Sequence, residues 1–164
     1  EVIKTFSPEL LVVNMQDVDI CHFNYSQYAN NLRKADFAVA QLWKTIQETP
    51  GMADDTVLII APEHGRNFYP NTSVDVFGRR ALDHTAPTDP NFTGDPNMQM
   101  AREIFCLVVG PPNVVVQNQV ISTIMGESTE IVPAIANLLG FDADMPGSYG
   151  VKPWSTCQLQ AAFV

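Results

Sequence analysis

Three short apolar runs limit the folds that are open to this chain. They are LLVVNM at residues 10–15, TVLIIA at residues 56–61 and IFCLVV at residues 104–109. Each run is almost uniformly apolar instead of alternating, and the second is rich in β-branched residues. This pattern is typical of a strand that is covered on both faces of a parallel sheet. The runs therefore predict an α/β fold with buried strands.

The segment between the first two runs has the spacing of an amphipathic helix, because its apolar or small residues recur in steps of three and four. These residues are Leu32, Ala35, Val39, Leu42 and Ile46. Pro50 and Gly51 end the pattern, and the next apolar run follows. A strand, a helix and a strand in this order predict a parallel βαβ unit.

Two further elements are predicted beyond the third apolar run. Residues 114–116 (VVV) form a possible short strand, and residues 128–139 have the pattern of a short helix that ends at Gly140. The stretches rich in Pro, Gly and Asn are only as long as loops, so we expect one domain over residues 1–164. The predicted fold is α/β, with a mainly parallel sheet and helices on both faces.

The charge and the hydropathy of the chain exclude two kinds of partner. The sequence has 18 acidic and 9 basic residues and a formal net charge of -9 at pH 7. Proteins that bind the phosphate backbone of nucleic acids concentrate Lys and Arg on one face. No apolar run approaches the roughly 20 residues that a membrane-spanning helix needs. We therefore expect neither a nucleic-acid partner nor a membrane span, and the sequence indicates no compartment.

The three histidines of the chain each lie near a carboxylate. The pairs are Asp17 with His22, Glu63 with His64, and Asp83 with His84. Two of these pairs follow predicted strands and the third lies in the long loop before the next strand. In parallel α/β sheets, ligands bind beyond the carboxyl ends of the strands, so these side chains are expected to meet at one sheet edge.

Imidazole and carboxylate groups are the ligands that suit zinc and manganese, and a hydrolytic site with two metal ions needs several of each. The candidate ligands are Asp17, His22, Glu63, His64 and His84. Asp19 shares a face of the extended chain with Asp17 but lies further from the strand end, so Asp17 is preferred. The predicted cofactors are two divalent metal ions, zinc or manganese.

The order of these motifs resembles the alkaline phosphatase superfamily, which includes phosphopentomutases, phosphodiesterases and sulfatases. The resemblance rests on D-x-x-x-x-H at 17–22, E-H-G at 63–65 and D-H-T at 83–85, followed by a strand-like run that ends in Gly-Pro. Residues 129–147 are similar to a segment in which members of this superfamily place a short helix ending in Leu-Leu-Gly.

The resemblance implies a chemistry and a role for each matching residue. Asp17, His22 and His84 are expected to bind one metal ion, while Glu63 and His64 belong to the second site. The implied function is metal-dependent hydrolysis or transfer of phosphate or sulfate esters, with a small-molecule ester as the ligand. The implied fold is the carboxy-terminal part of an alkaline-phosphatase-like catalytic domain.

Two departures from the family pattern bear on activity. The family usually has Asp at the position of Glu63. The glutamate side chain is one methylene longer, so Glu63 can still be a ligand, and a second metal site that is altered or lost is the alternative. The family's nucleophile and another Asp ligand lie on an earlier strand, and nothing before Leu10 supplies them. We therefore expect the missing amino-terminal half of the catalytic domain as a partner.

Two other interpretations remain open on the sequence. In the first, the chain is a non-catalytic binding or interaction domain of the same fold whose metal site has decayed. In the second, the chain is an unrelated α/β domain whose three histidines are structural and lie far apart.

One basic residue is a candidate for binding the substrate. Arg66 immediately follows His64 and Gly65. Its planar guanidinium group can pair with an anionic ester through two parallel hydrogen bonds.

Because no nucleophile is found in the sequence, we expect the purified chain to hydrolyse p-nitrophenyl phosphate at no more than a trace rate. The release of p-nitrophenol, measured with zinc or manganese present, tests this expectation. Turnover comparable to that of a typical enzyme, about 10 per second, would contradict it.

Overall fold

The computed structural model describes residues 1–21, 24–66, 102–123, 126–143 and 152–164. The chain divides into two compact units. Unit 1 consists of Glu1–Leu10, Thr49–Ala61 and Leu107–Val164, and unit 2 consists of Leu11–Glu48 and Pro62–Cys106. The prediction that residues 1–164 form a single domain stays a prediction.

Unit 1 contains a two-stranded antiparallel sheet. Strand β1 (Leu58–Ile60) pairs with strand β2 (Leu107–Val109), with Leu58 opposite Val109 and Ile60 opposite Leu107. The second and third apolar runs therefore do form strands. The prediction of a mainly parallel sheet with helices on both faces is wrong for the described residues. An apolar run indicates that a segment favours a buried strand. Whether that strand is parallel or antiparallel depends on the strand it pairs with, and the run contains no information about that partner.

The first apolar run forms no strand, so the predicted βαβ unit is also wrong. Residues 10–15 lack regular secondary structure, and their large side chains are exposed, with Val12 at 78%. Apolar composition favours burial, but a strand also needs a neighbour that accepts its backbone hydrogen bonds. Within the described residues, no backbone hydrogen bond of this kind reaches residues 11–15.

The predicted first helix is confirmed in unit 2. Helix α2 spans Tyr25–Glu48 and follows the short helix α1 (Val2–Phe6) of unit 1 along the chain. The Asn24 side chain accepts a hydrogen bond from the backbone N–H of Gln27 at 3.0 Å. This bond caps the helix, because the backbone N–H groups of a first turn have no acceptor within the helix. Among the described residues, no helix has the length and apolar character needed to cross a membrane.

The predicted second helix is confirmed in unit 1. A 3₁₀ turn at Ser128–Glu130 leads into helix α3 (Ile131–Leu138). Gly140 follows the helix with φ +80°, a left-handed conformation that favours glycine. The backbone N–H groups of Gly140 and Phe141 donate to the carbonyls of Asn137 and Ala136, which is the hydrogen-bond pattern of a Schellman cap.

The carboxy-terminal segment of unit 1 is tied to the predicted short strand at 114–116. Val115 and Phe163 form an isolated antiparallel bridge rather than a full strand. The Val116 N–H donates to the Ala162 carbonyl at 3.0 Å, and the Val164 N–H donates to the Val114 carbonyl at 2.9 Å. Two hydrogen bonds therefore hold the last residues of the chain.

A buried carboxylate makes a second attachment for this segment. Glu130 is 1% exposed, and its Oε2 accepts a hydrogen bond from the Leu159 N–H at 2.9 Å. Lys152 Nζ lies 3.6 Å from Glu130 Oε1 and 3.3 Å from Glu127 Oε2. The hydrogen bond with Glu127 and the two negative charges raise the pKa of Lys152. Burial, with a smaller effect of Glu130, raises the pKa of the Cys157 thiol.

We expect Glu130→Ala to lower the free energy of unfolding by about 2–3 kcal/mol, because the part-buried N–H of Leu159 loses its acceptor and a cavity is left. Urea denaturation measures this change. Glu127→Ala is the matched control, since Glu127 meets the same Lys152 but its side chain is 64% exposed. The control should change stability little. Equal effects of the two substitutions would show that burial of Glu130 is not what matters.

Candidate metal centre

Three side chains of unit 2 converge in a group that can hold a metal ion. They are Asp19, Glu63 and His64, and one possible ligand atom from each lies within 4.8 Å of the others. Asp19 begins the 3₁₀ turn Asp19–Cys21, which precedes helix α2. Glu63 and His64 lie in the segment that follows β1 along the chain. Two segments distant in sequence therefore contribute to one cluster.

A buried amide on helix α2 fixes the loop that carries Asp19. Asn31 is 6% exposed and its Nδ2 donates to the Asp17 backbone carbonyl at 2.6 Å and contacts Cys21 Sγ at 3.1 Å. The Cys21 thiol also donates to the Asp17 carbonyl, with a sulfur–oxygen distance of 3.3 Å. These contacts hold the residues on both sides of Asp19, so its backbone position is set by helix α2.

The hydrogen bonds of His64 direct one ring nitrogen towards the cluster. Nδ1 lies 2.7 Å from the carbonyl oxygen of Gly65, which can only accept a hydrogen bond. A proton on Nδ1 satisfies this contact, and a metal ion bound at Nε2 would take the place of a proton that the Asp19 carboxylate can accept there. Nε2 lies 3.2 Å from Asp19 Oδ1. A backbone carbonyl that fixes the imidazole tautomer in this way is a usual feature of metal-binding histidines.

The surroundings of the cluster admit an ion from solvent. The side chains of His64 and Asp19 are 27% and 48% exposed, and Glu63 is also exposed. Four ligands about 2.1 Å from a tetrahedral ion lie about 3.4 Å apart. The ligand atoms here lie within 4.8 Å of one another, so binding an ion requires each of them to move by no more than about 1 Å. Exposed Asp and Glu side chains make such movements by rotamer adjustment.

The donor set has a clear chemical preference. One imidazole nitrogen and two carboxylate oxygens suit zinc, manganese or iron better than calcium, which takes only oxygen ligands. Three protein ligands around a tetrahedral ion leave a fourth position for water or a substrate oxygen. This is the arrangement of catalytic zinc sites, whereas structural zinc sites usually have four protein ligands.

The structure brings together only some of the residues predicted as ligands. Glu63 and His64 lie in the cluster. Asp17 contributes its backbone carbonyl to the contacts with Asn31, and no cluster in the described part of the chain includes its carboxylate. His22 and His84 lie outside the described residues, so the metal site predicted from Asp17 and these two histidines stays a prediction.

Asp19 joins Glu63 and His64 in this cluster, whereas the sequence favoured Asp17 over Asp19 and the resemblance assigned Asp17 to the other metal ion. The preference for Asp17 assumed that a strand ends at Met15, and residues 10–15 contain no strand. The sequence did show that both carboxylates follow the same apolar run. Asn31 was not identified as a functional residue, because its partners are 14 and 10 residues away and no local pattern marks it.

The predicted substrate-binding residue Arg66 has a defined position. Its guanidinium carbon lies 4.5 Å from the centre of the Tyr28 ring on helix α2. This distance is typical of a cation–π contact. Tyr28 was not identified from the sequence, since it lies 38 positions before Arg66 and reads as part of a helix face.

Comparisons with known proteins give no information about the function of this chain. No family model, curated protein or solved structure matches this chain.

We expect His64 of the metal-free protein to carry its neutral-state proton on Nδ1, because the contact of Nδ1 with the Gly65 carbonyl, at 2.7 Å, is shorter than the 3.2 Å contact of Nε2 with the Asp19 carboxylate. Long-range ¹H–¹⁵N correlation spectra distinguish the two imidazole tautomers. The Asp19→Asn variant serves as a control, since it changes only the partner of Nε2 and should leave Nδ1 protonated. A neutral His64 with its proton on Nε2 would contradict the geometry described above.

Proposed function

We propose that this chain binds a divalent transition-metal ion, zinc or manganese, through Asp19, Glu63 and His64, and that the site serves the hydrolysis of phosphate or sulfate esters. The observation that carries the proposal is the convergence of these three side chains from two distant segments. The Gly65 carbonyl and the Asn31 amide support it, because each orients one part of the site without being a ligand.

Each residue of the cluster has a distinct role in the proposed site. Asp19 and Glu63 supply negative charge that compensates the charge of the ion. His64 supplies a neutral nitrogen whose direction is set by the hydrogen bond to Gly65. A bound divalent ion polarises a phosphoryl or sulfuryl oxygen and stabilises the charge that develops on it in the transition state. The exposed position of the cluster gives an ester access to that ion.

The substrate class comes from the motif resemblance. The E-H-G motif at 63–65 resembles a metal-binding motif of the alkaline phosphatase superfamily, whose members act on phosphate and sulfate esters. Two divalent ions were predicted on that basis, and the cluster accounts for one. The predicted ligands His22 and His84 of the other ion lie outside the described residues. The proposed partner for turnover remains an amino-terminal half that carries the nucleophile.

We expect the purified chain to bind about one zinc ion, and His64→Ala, Glu63→Gln and Asp19→Asn each to weaken zinc binding at least tenfold. Competition with a chromogenic chelator measures the affinity, and metal analysis after dialysis measures the stoichiometry. Because the ligand nitrogen must be unprotonated, zinc should also be released on acidification.

Asp36→Asn is the matched control for charge, because Asp36 is an exposed carboxylate on helix α2 of the same unit. It should leave zinc affinity unchanged. Asp17→Asn separates the two candidate carboxylates: a larger loss from Asp17→Asn than from Asp19→Asn would contradict the cluster described here. If neither zinc nor manganese binds at pH 7.5, the metal function is wrong, and the interpretation as a non-catalytic domain with a decayed site is favoured.

A further inference from the structure

Asn31 is an unusual residue to find buried on helix α2. Of the residues of this helix, all of which the structure describes, only Asn31 and Ile46 are buried, and Asn31 is 6% exposed. An amide that leaves water must recover its hydrogen bonds within the protein, whereas an apolar side chain has no such requirement. Packing alone therefore does not explain an amide at this position.

The orientation of the Asn31 amide is fixed by partners that can each play only one role. The Asp17 backbone carbonyl can only accept a hydrogen bond, and it lies 2.6 Å from Nδ2. The Lys34 ammonium group can only donate, and it lies 3.3 Å from Oδ1. The opposite orientation would place donor against donor and acceptor against acceptor. Asn31 is therefore held at both ends, with its amino group directed at the loop before the helix.

The loop that carries Asp19 has little support from its own backbone. In the described structure, residues 16–21 form two backbone hydrogen bonds among themselves, from Ile20 to Gln16 at 3.2 Å and from Cys21 to Val18 at 3.3 Å. Both are long for bonds between backbone groups. The Asp19 side chain is 48% exposed and has only two rotatable bonds. A movement of the loop backbone is therefore carried directly to its carboxylate.

We propose that Asn31 is a positioning residue that couples metal binding at Asp19 to the docking of helix α2 on residues 17–21. This inference rests on the function proposed above, because it concerns the affinity of the same site. With the amide in place, Asp19 already lies near His64 before an ion arrives. Without the amide, binding of the ion must also order the loop, and this entropic cost weakens binding. Such coupling is reciprocal, so a bound ion also strengthens the contact of Asn31 with the loop.

The rival explanation is structural. In that case the amide only fastens the loop to the helix, and the Asp19 carboxylate reaches the ion equally well without it. Removal of the amide would then lower the stability of the protein and leave zinc affinity unchanged. Under our proposal the removal weakens zinc binding, and it does so only while Asp19 is present.

The first test is a double-mutant cycle on the full chain, with zinc affinity measured by chelator competition. We expect Asn31→Ala to weaken zinc binding about tenfold, as is usual for residues that orient a metal ligand. In an Asp19→Ala background the same substitution should change the affinity less than about twofold, because the ligand through which it acts is absent. Asn30→Ala is the matched control, since Asn30 is the exposed neighbour of Asn31 on the helix. It should leave zinc affinity unchanged.

The second test uses the parent chain and does not depend on how well a variant folds. Exchange of the Asn31 side-chain amide protons with solvent is followed by NMR with and without zinc. Because these protons exchange when the contact with the loop opens, zinc should slow their exchange about threefold or more. The side-chain protons of the exposed Asn30 should exchange at the same rate in both conditions.

Three results would overturn the inference and leave the metal function standing. The first is an Asn31→Ala variant with lower thermal stability and unchanged zinc affinity. The second is an equal loss of zinc affinity with and without Asp19. The third is exchange of the Asn31 side chain that zinc does not slow. If the parent chain binds neither zinc nor manganese, the metal function and this inference are both wrong.

Discussion

The buried amide of Asn31 is the interaction on which the candidate metal centre depends. Helix α2 brings it against the loop that precedes the helix, where it donates to the Asp17 carbonyl and contacts the Cys21 thiol. A buried amide that lacked partners would cost about 1–3 kcal/mol, so these contacts favour one conformation of the loop. Asp19 lies between the two contacted residues and is thereby presented to His64.

The same physical rule operates in unit 1, where the polar group is a carboxylate. Glu130 is almost completely buried and accepts the backbone N–H of Leu159, while Lys152 lies near its other oxygen. In both units, a single buried polar side chain reaches backbone groups far along the chain. Such contacts specify the path of irregular segments, for which no regular ladder of backbone hydrogen bonds is available.

The sequence predicted the local elements well and their pairing poorly. Helix α2 and the second helix at 128–139 were found because their spacing and their terminal glycines act within a few residues. The second and third apolar runs were correctly predicted as strands, because their apolar and β-branched composition is also a local property. The parallel sheet and the strand at 10–15 were wrong, because strand direction and strand pairing depend on partners that are remote in sequence. The candidate metal ligands Glu63 and His64 were predicted as a pair, but their proximity to Asp19 was not predicted.

The sequence by itself determined which chemical groups the site can contain. These are one imidazole beside a carboxylate, a pair of carboxylates before helix α2, and an arginine two residues after the imidazole. It also predicted the two longer helices and the glycines that follow them, since periodicity and carboxy-terminal caps are local, whereas the short helix α1 was not predicted. Only the tertiary structure decided that Asp19 rather than Asp17 approaches His64, and that Tyr28 covers Arg66. These choices depend on side chains such as Asn31 that act across many residues, and no local pattern in the sequence records them.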